Sequence, residues 1–322
     1  MPENKVVHTQ EKYDLREDAK EFPMMVVLSF VYICNAKCPN CPYNNSDIRS
    51  KYKDALVMPE QIFKRIADEC GQYGTYLRIS GGGEPMLHPQ AVELMVYAKE
   101  KGAKIGLITN GSRFTEESLT ALIRAGVDAI EFSVDAPDEG TYNRVRPGLD
   151  WRKLNRNVRL AVDIRNKLNS DTRIIASIIN QEGVDVLKAE KHWEGIVDKV
   201  QIRKYLTWGY NKDKSADPTP YLPTEERIPC PWLFERFNID SRGDVTLCGE
   251  DIAFNERFAN VMDRTIKDIW HGPEFNSFRE KHLNGRGHEI PICSRCPDWK
   301  YRSWQYNYWK VLRDAEGKKA RG

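Results

Sequence analysis

Three cysteines fall within eight residues, Cys34, Cys38 and Cys41 in CNAKCPNC. The chain has only eight cysteines in 322 residues, so this cluster needs a reason. A disulfide takes two and leaves one over. A tetrahedral zinc site takes four ligands. Three thiolates on a four-iron cluster leave one iron open, which is useful only if another molecule binds there. A second set lies downstream. Cys230 and Cys248 have 17 residues between them, with Gly243 placed in the pattern C-x12-G-x4-C. After 44 further residues come Cys293 and Cys296 in CSRC. Four thiols make one closed site, either structural zinc or a fully ligated cluster that passes electrons. Cys70, the eighth, ends a helical stretch and reads as a core thiol.

These residues need elements to hold them. MMVVLSFVYIC is β-branched and aromatic and reads as a buried strand running into Cys34. Helical PEQIFKRIADEC follows, then the strand TYLRIS, which ends at SGGGEP. A helix over 89–101, the strand AKIGLITNG and the helix TEESLTALIRAG come next, the last with a threonine cap and a C-terminal glycine. VDAIEFSVD is a fourth strand, and Asp150 caps a helix over 151–168. TRIIASIIN, a helix over 184–193 and VDKVQIRKYL complete six strand–helix units. Parallel returns need crossovers, so the expected fold is α/β, a partial (β/α)6 barrel. The polar residues that follow the strands share the edge where such folds bind ligands. Residues 24–205 form the barrel after an extension over 1–23. A loop over 206–225 leads to a small cysteine domain over 226–300, whose hairpin RFNIDSRGDVTLC turns at Arg242–Asp244. An aromatic helix and tail, with Tyr301, Trp304, Tyr308 and Trp309, occupies 301–322 and is expected to pack on that domain.

Hydrophobic residues make up 40% and charged residues 30% of the chain, the pattern of a globular protein, and the net charge of +2 gives no basic field for nucleic acid. No apolar run is long enough for a signal or a membrane span, so a cytoplasmic location is expected. Clustered cysteines there favour metal or redox chemistry.

CNAKCPNC resembles the CxxxCxxC motif of the radical S-adenosylmethionine (radical SAM) superfamily, and its place after the first strand supports the likeness. The resemblance implies a 4Fe-4S cluster on Cys34, Cys38 and Cys41, with SAM on the open iron. It implies cleavage of SAM to a 5′-deoxyadenosyl radical that takes hydrogen from a substrate. Members carry an aromatic residue before the third cysteine; this chain has Asn40, with Tyr43 as the substitute for adenine stacking. SGGGEP resembles the family's GGE motif, so Gly82 and Gly83 are expected to let the backbone approach SAM, and Glu84 to accept from its ammonium. In FSVDAPDEGTYNRVRPG, Ser133 and Asp135 are expected at the ribose and Arg146 at the carboxylate. Asn110 and Asn180 are further cofactor candidates. Cys230, Cys248, Cys293 and Cys296 resemble the twitch form of the SPASM domain, which implies one auxiliary 4Fe-4S cluster.

Those four cysteines also resemble the 2-deoxy-scyllo-inosamine dehydrogenase type of carbohydrate-modifying enzyme. The expectation is oxidation of a sugar or cyclitol alcohol to a ketone, with the auxiliary cluster as electron acceptor and a flavodoxin- or ferredoxin-type reductant. Arg203 and Glu250 are the expected catalytic pair, the arginine for orientation because it is a poor base. Alternatives are a sugar epimerase, for which no spare cysteine is well placed, and a ribosomal-peptide maturase. About 23 residues precede the first strand, too few for the extra N-terminal domain such maturases often carry. An electron carrier or a zinc-stabilised module would not need GGGEP and Arg146 after successive strands.

Overall fold

The computed structural model describes residues 19–208 and 227–302 together with Leu15 and Trp304. Its centre is a sheet with strand order β6-β5-β4-β3-β2-β1-β7-β8-β9. β1 (Met25–Val31), β2 (Tyr76–Gly82), β3 (Lys104–Thr109), β4 (Ala129–Ser133), β5 (Arg173–Asn180) and β6 (Lys199–Lys204) pair in parallel, each with the next. This is the expected six-unit partial barrel. Their apolar runs make the continuous core of a sheet covered by helices.

The crossovers follow their local signals. α1 (Ser46–Ser50) is a short turn after the cysteine loop, and α2 (Glu60–Gln72) starts behind Pro59. α3 (Ala91–Glu100) precedes β3. Thr115 and Ser118 form a reciprocal capping box on α4 (Glu116–Arg124). Asp138 caps α5 (Glu139–Val145), a helix absent from the sequence reading, and Asp150 caps α6 (Trp151–Lys167). α7 (Val186–Trp193) leads to β6. Cys70 is fully buried on α2, a core thiol as expected.

The second unit is joined to the first through the sheet. After α8 (Trp232–Glu235), β7 (Arg236–Ile239) pairs in parallel with β1, Met25 opposite Arg236. β8 (Asp244–Thr246) returns antiparallel around Gly243, which has a φ of +83°, and β9 (Ala259–Asn260) pairs with β8. The expected hairpin is therefore present, and it also extends the barrel wall. α9 (Ile266–Trp270), α10 (Pro273–Leu283) and α11 (Pro291–Ser294) complete the unit. Trp304 packs on it through Phe234, and its indole donates to the Pro229 carbonyl at 2.8 Å. Tyr308, Trp309 and most of the loop expected over 206–225 lie outside the described residues. Among those described, no helix is long and apolar enough to cross a membrane.

Candidate active site and second thiol site

A cavity of about 540 Å³ opens at the C-terminal ends of the barrel strands and reaches the second unit. That is an ordinary size for a ligand site, ~300–1,000 Å³. Cys34, Cys38 and Cys41 line one edge. Their loop is held from several sides. Lys37 donates its amide to the Pro147 carbonyl at 3.0 Å, and Asn44 its side chain to the Cys38 carbonyl at 2.8 Å. The Asn110 amide donates to Asn35 at 3.0 Å, so Asn110 is committed to holding this loop. Gly148 has a φ of +92°, and a Cβ there would come within 2.9 Å of the Asn35 carbonyl. Burial pushes the Cys41 thiol up to about 12, so a bound metal is what would keep it a thiolate.

The GGE turn lines the cavity, and its glycines also allow a close backbone contact. Gly82 has a φ of +69°. A Cβ on Gly82 would overlap the Val31 carbonyl, and one on Gly83 the Ile33 carbonyl. Their bareness lets β2 close on the end of β1, behind the cysteine loop. Glu84 is also spent internally. Its carboxylate accepts from the Thr109 hydroxyl (2.6 Å), the Asn110 amide (2.7 Å) and the Met86 amide (3.2 Å). Burial raises its pKa, and these donors oppose that rise. It therefore organises the ends of β2 and β3 while remaining part of the cavity wall.

Arg146 and Asp135 both face the cavity, paired with each other. One Asp135 oxygen takes Arg146, and the other accepts the Ile179 amide at 2.7 Å. Asp135 thus positions Arg146 from the cavity wall. Its φ of +47°, unusual outside glycine, is held by those bonds. Burial would lower the Arg146 pKa, but Asp135 raises it overall. Ser133 lines the cavity as expected. Tyr43 does too, with its hydroxyl turned to Ser29 and the Gly82 amide and its ring tilted against Tyr32. Asn180 does not line it: Ser177 and Ile179 do, and strand alternation turns Asn180 to the other face.

Arg203 reaches the cavity from β6, bonding Glu131 and, at 2.7 Å, the Ser177 hydroxyl. Burial alone would raise the Glu131 pKa, but Arg203 and Arg78 hold it below the usual range. Arg78 and Glu131, with Glu235 and Arg236 of the second unit, make a charged floor that the sequence reading missed. The available signal was a lone charge inside each apolar strand, TYLRIS and AIEFS. Glu250 is placed apart from the lining residues. It is buried outside the cavity lining and ion-paired to Arg302. Burial, with Asp298 adding to it and Arg302 opposing, raises its pKa to about 7. Its carboxylate sits beside Cys248 and Cys296 of the second thiol site.

That second site gathers Cys230, Cys248, Cys293 and Cys296. Burial raises all four thiols, Cys296 to about 12. Arg302 lies against Cys230 and Cys296, its guanidinium 3.5 Å from the Trp232 ring centre, and both Arg302 and Trp232 line the cavity. His282 lies near Cys230 and Cys293. Among the described residues, no three His, Cys, Asp or Glu close to single-ion distance. The donors in each set are all thiols, which suits iron–sulfur clusters.

Residues 28–182 match the radical SAM superfamily. The barrel is a radical SAM domain. Residues 230–297 match the SPASM iron–sulfur cluster-binding domain. The cofactors are therefore SAM with its 4Fe-4S cluster and, in the SPASM domain, auxiliary iron–sulfur. Over 315 residues the chain is 24% identical to the PqqA peptide cyclase of Xanthomonas campestris pv. campestris (strain 8004), covering 86% of this chain and 81% of that one. The PqqA peptide cyclase of Gluconobacter oxydans (strain 621H) is 25% identical, with 80% and 79% covered. Among solved structures, Streptococcus suis SuiB bound to its precursor peptide SuiA superposes with a TM-score of 0.66, at 16% identity over 84% and 69% of the two chains. BtrN in complex with AdoMet and 2-DOIA gives 0.57, at 18% identity over 88% and 97%. At these identities the structural likenesses are likenesses of fold.

Proposed function

We propose that this protein is a radical SAM peptide maturase that oxidatively joins or modifies side chains of a ribosomally made peptide. The observation that carries this is the match to PqqA peptide cyclases across both domains, over 86% of the chain. It supports the peptide alternative over the sugar or cyclitol oxidation expected first, because the BtrN likeness extends only to fold. Bound SAM and its cluster supply a hydrogen-abstracting radical, with the electron coming from a flavodoxin- or ferredoxin-type donor.

The chain's own residues do the rest. Cys34, Cys38 and Cys41 hold the cluster on a loop fastened by Asn110 and the Pro147–Gly148 turn. Arg146, fixed by Asp135, is the cation for the cofactor's carboxylate. Gly82, Gly83, Ser133 and Tyr43 shape the rest of its site. Arg203, fixed by Glu131 and Ser177, orients polar groups of the substrate. Joining two side chains removes two hydrogens: one leaves as an atom to the radical, the other as a proton plus an electron. The four thiols behind Trp232 and Arg302 hold the acceptor of that electron.

The test is anaerobic incubation of the reconstituted protein with SAM, dithionite and the short peptides encoded beside its gene. The expected result is a peptide lighter by two hydrogens, formed in step with 5′-deoxyadenosine. Unchanged peptides, with a cyclitol alcohol oxidised in their place, would restore the carbohydrate reading.

A further inference from the structure

His282 lies in the last turn of α10 near two of the four auxiliary cysteines, and its side chain is buried. The Cys230 amide, which can only donate, points at its Nδ1 at 3.3 Å. Nδ1 must therefore present its lone pair, and the ring proton sits on Nε2. Nε2 lies 3.4 Å from the Cys293 sulfur, so the ring donates to that sulfur. One residue thus receives from one cysteine's backbone and gives to another's thiolate. Gly287 packs on the ring: a Cβ there would stand 3.1–3.3 Å from its atoms, tighter than ordinary contact. The ring is clamped in the orientation that makes both bonds.

We infer that His282 is a positioning residue of the auxiliary site, and that its N–H···S bond to Cys293 raises the reduction potential of the cluster held there. Hydrogen bonds to cluster sulfurs are among the levers that set such potentials. A donor disperses negative charge on the sulfur and so favours the reduced state, which carries one more electron. That is the direction an acceptor of substrate electrons needs. The inference rests on the proposed reading that these four thiols hold the acceptor, and the experiment separates the two.

The background is the full chain with Cys34, Cys38 and Cys41 replaced by alanine, reconstituted anaerobically, so that only the auxiliary cluster is present. In it, His282→Gln keeps an N–H near Nε2, whereas His282→Asn keeps an acceptor near Nδ1 and loses the donor. Iron content and the midpoint potential, followed by electron paramagnetic resonance, are read for each. The expected result is unchanged iron in the glutamine variant with a potential close to the parent's, and a clearly lower potential in the asparagine variant. Equal potentials in all three proteins, or iron lost from the glutamine variant as well, would overturn the role given to His282. A parent that binds no iron at all would instead remove the proposed cluster itself.

Discussion

Asp240 shows how a single buried charge in the turn between the two sheet segments shapes stability. One of its oxygens accepts the amides of Arg242 (2.8 Å) and Asp244 (3.0 Å). Burial raises its pKa to about 6, above the ~4 of an unfolded chain. Between those values the folded protein binds more protons than the unfolded one, so stability falls as pH rises from about 4 to about 6. Asp240→Asn keeps the accepting oxygen and removes the charge. It should stabilise the protein at pH 7 by about 1–2 kcal/mol and flatten that slope, read as thermal midpoints across pH. A variant no more stable than the parent at pH 7 would contradict this. Residue types were the most legible level of the sequence, and their partners the least. Cysteine spacing identified both thiol sets. Nothing local to Glu250 announces Arg302, 52 positions away, and nothing local to Asp135 says that its oxygens go to Arg146 and Ile179.

At the scale of elements, the active edge is made by strand ends that fasten one another. The Glu84 amide donates to the Ile33 carbonyl at 2.8 Å, the same carbonyl that a Cβ on Gly83 would strike. Gly83→Ala should therefore push the segment before Cys34 away from β2, with overpacking costs of about 1–3 kcal/mol. The expected outcome is loss of the barrel's cluster, about four irons per chain, with auxiliary iron retained, measured by iron analysis and spectroscopy. Full iron with parental SAM cleavage would show that the turn tolerates a side chain. The strands and helices themselves were legible from β-branched runs, caps and glycine stops. α5 was not, because its seven residues sit inside a polar motif that also reads as loop. Asn180 was misplaced by one step of strand alternation, which a motif reading ignores and the pleat enforces.

For the whole molecule, the consequential feature is that the two domains share a sheet and a cavity. β7 adds to β1, and the wall carrying Trp232 and Arg302 separates the barrel interior from the four thiols. Arg302 thus touches both the cavity and the surroundings of the four thiols. The sequence presented two cysteine sets on what read as separate units. It could not show them sharing a wall, since the β1–β7 pairing joins strands about 200 residues apart by backbone bonds alone. The substrate class was also beyond local reading, and the peptide assignment draws on relatives across both domains.

The most direct test is iron and acid-labile sulfide per chain after anaerobic reconstitution, for the parent and for the variant with Cys34, Cys38 and Cys41 changed to alanine. Two sites, one on three thiols and one on four, predict about eight irons in the parent and about four in the variant. About four in the parent and none in the variant would contradict the account, because the four thiols would then hold no electron acceptor and oxidative peptide chemistry would have nowhere to send its electron.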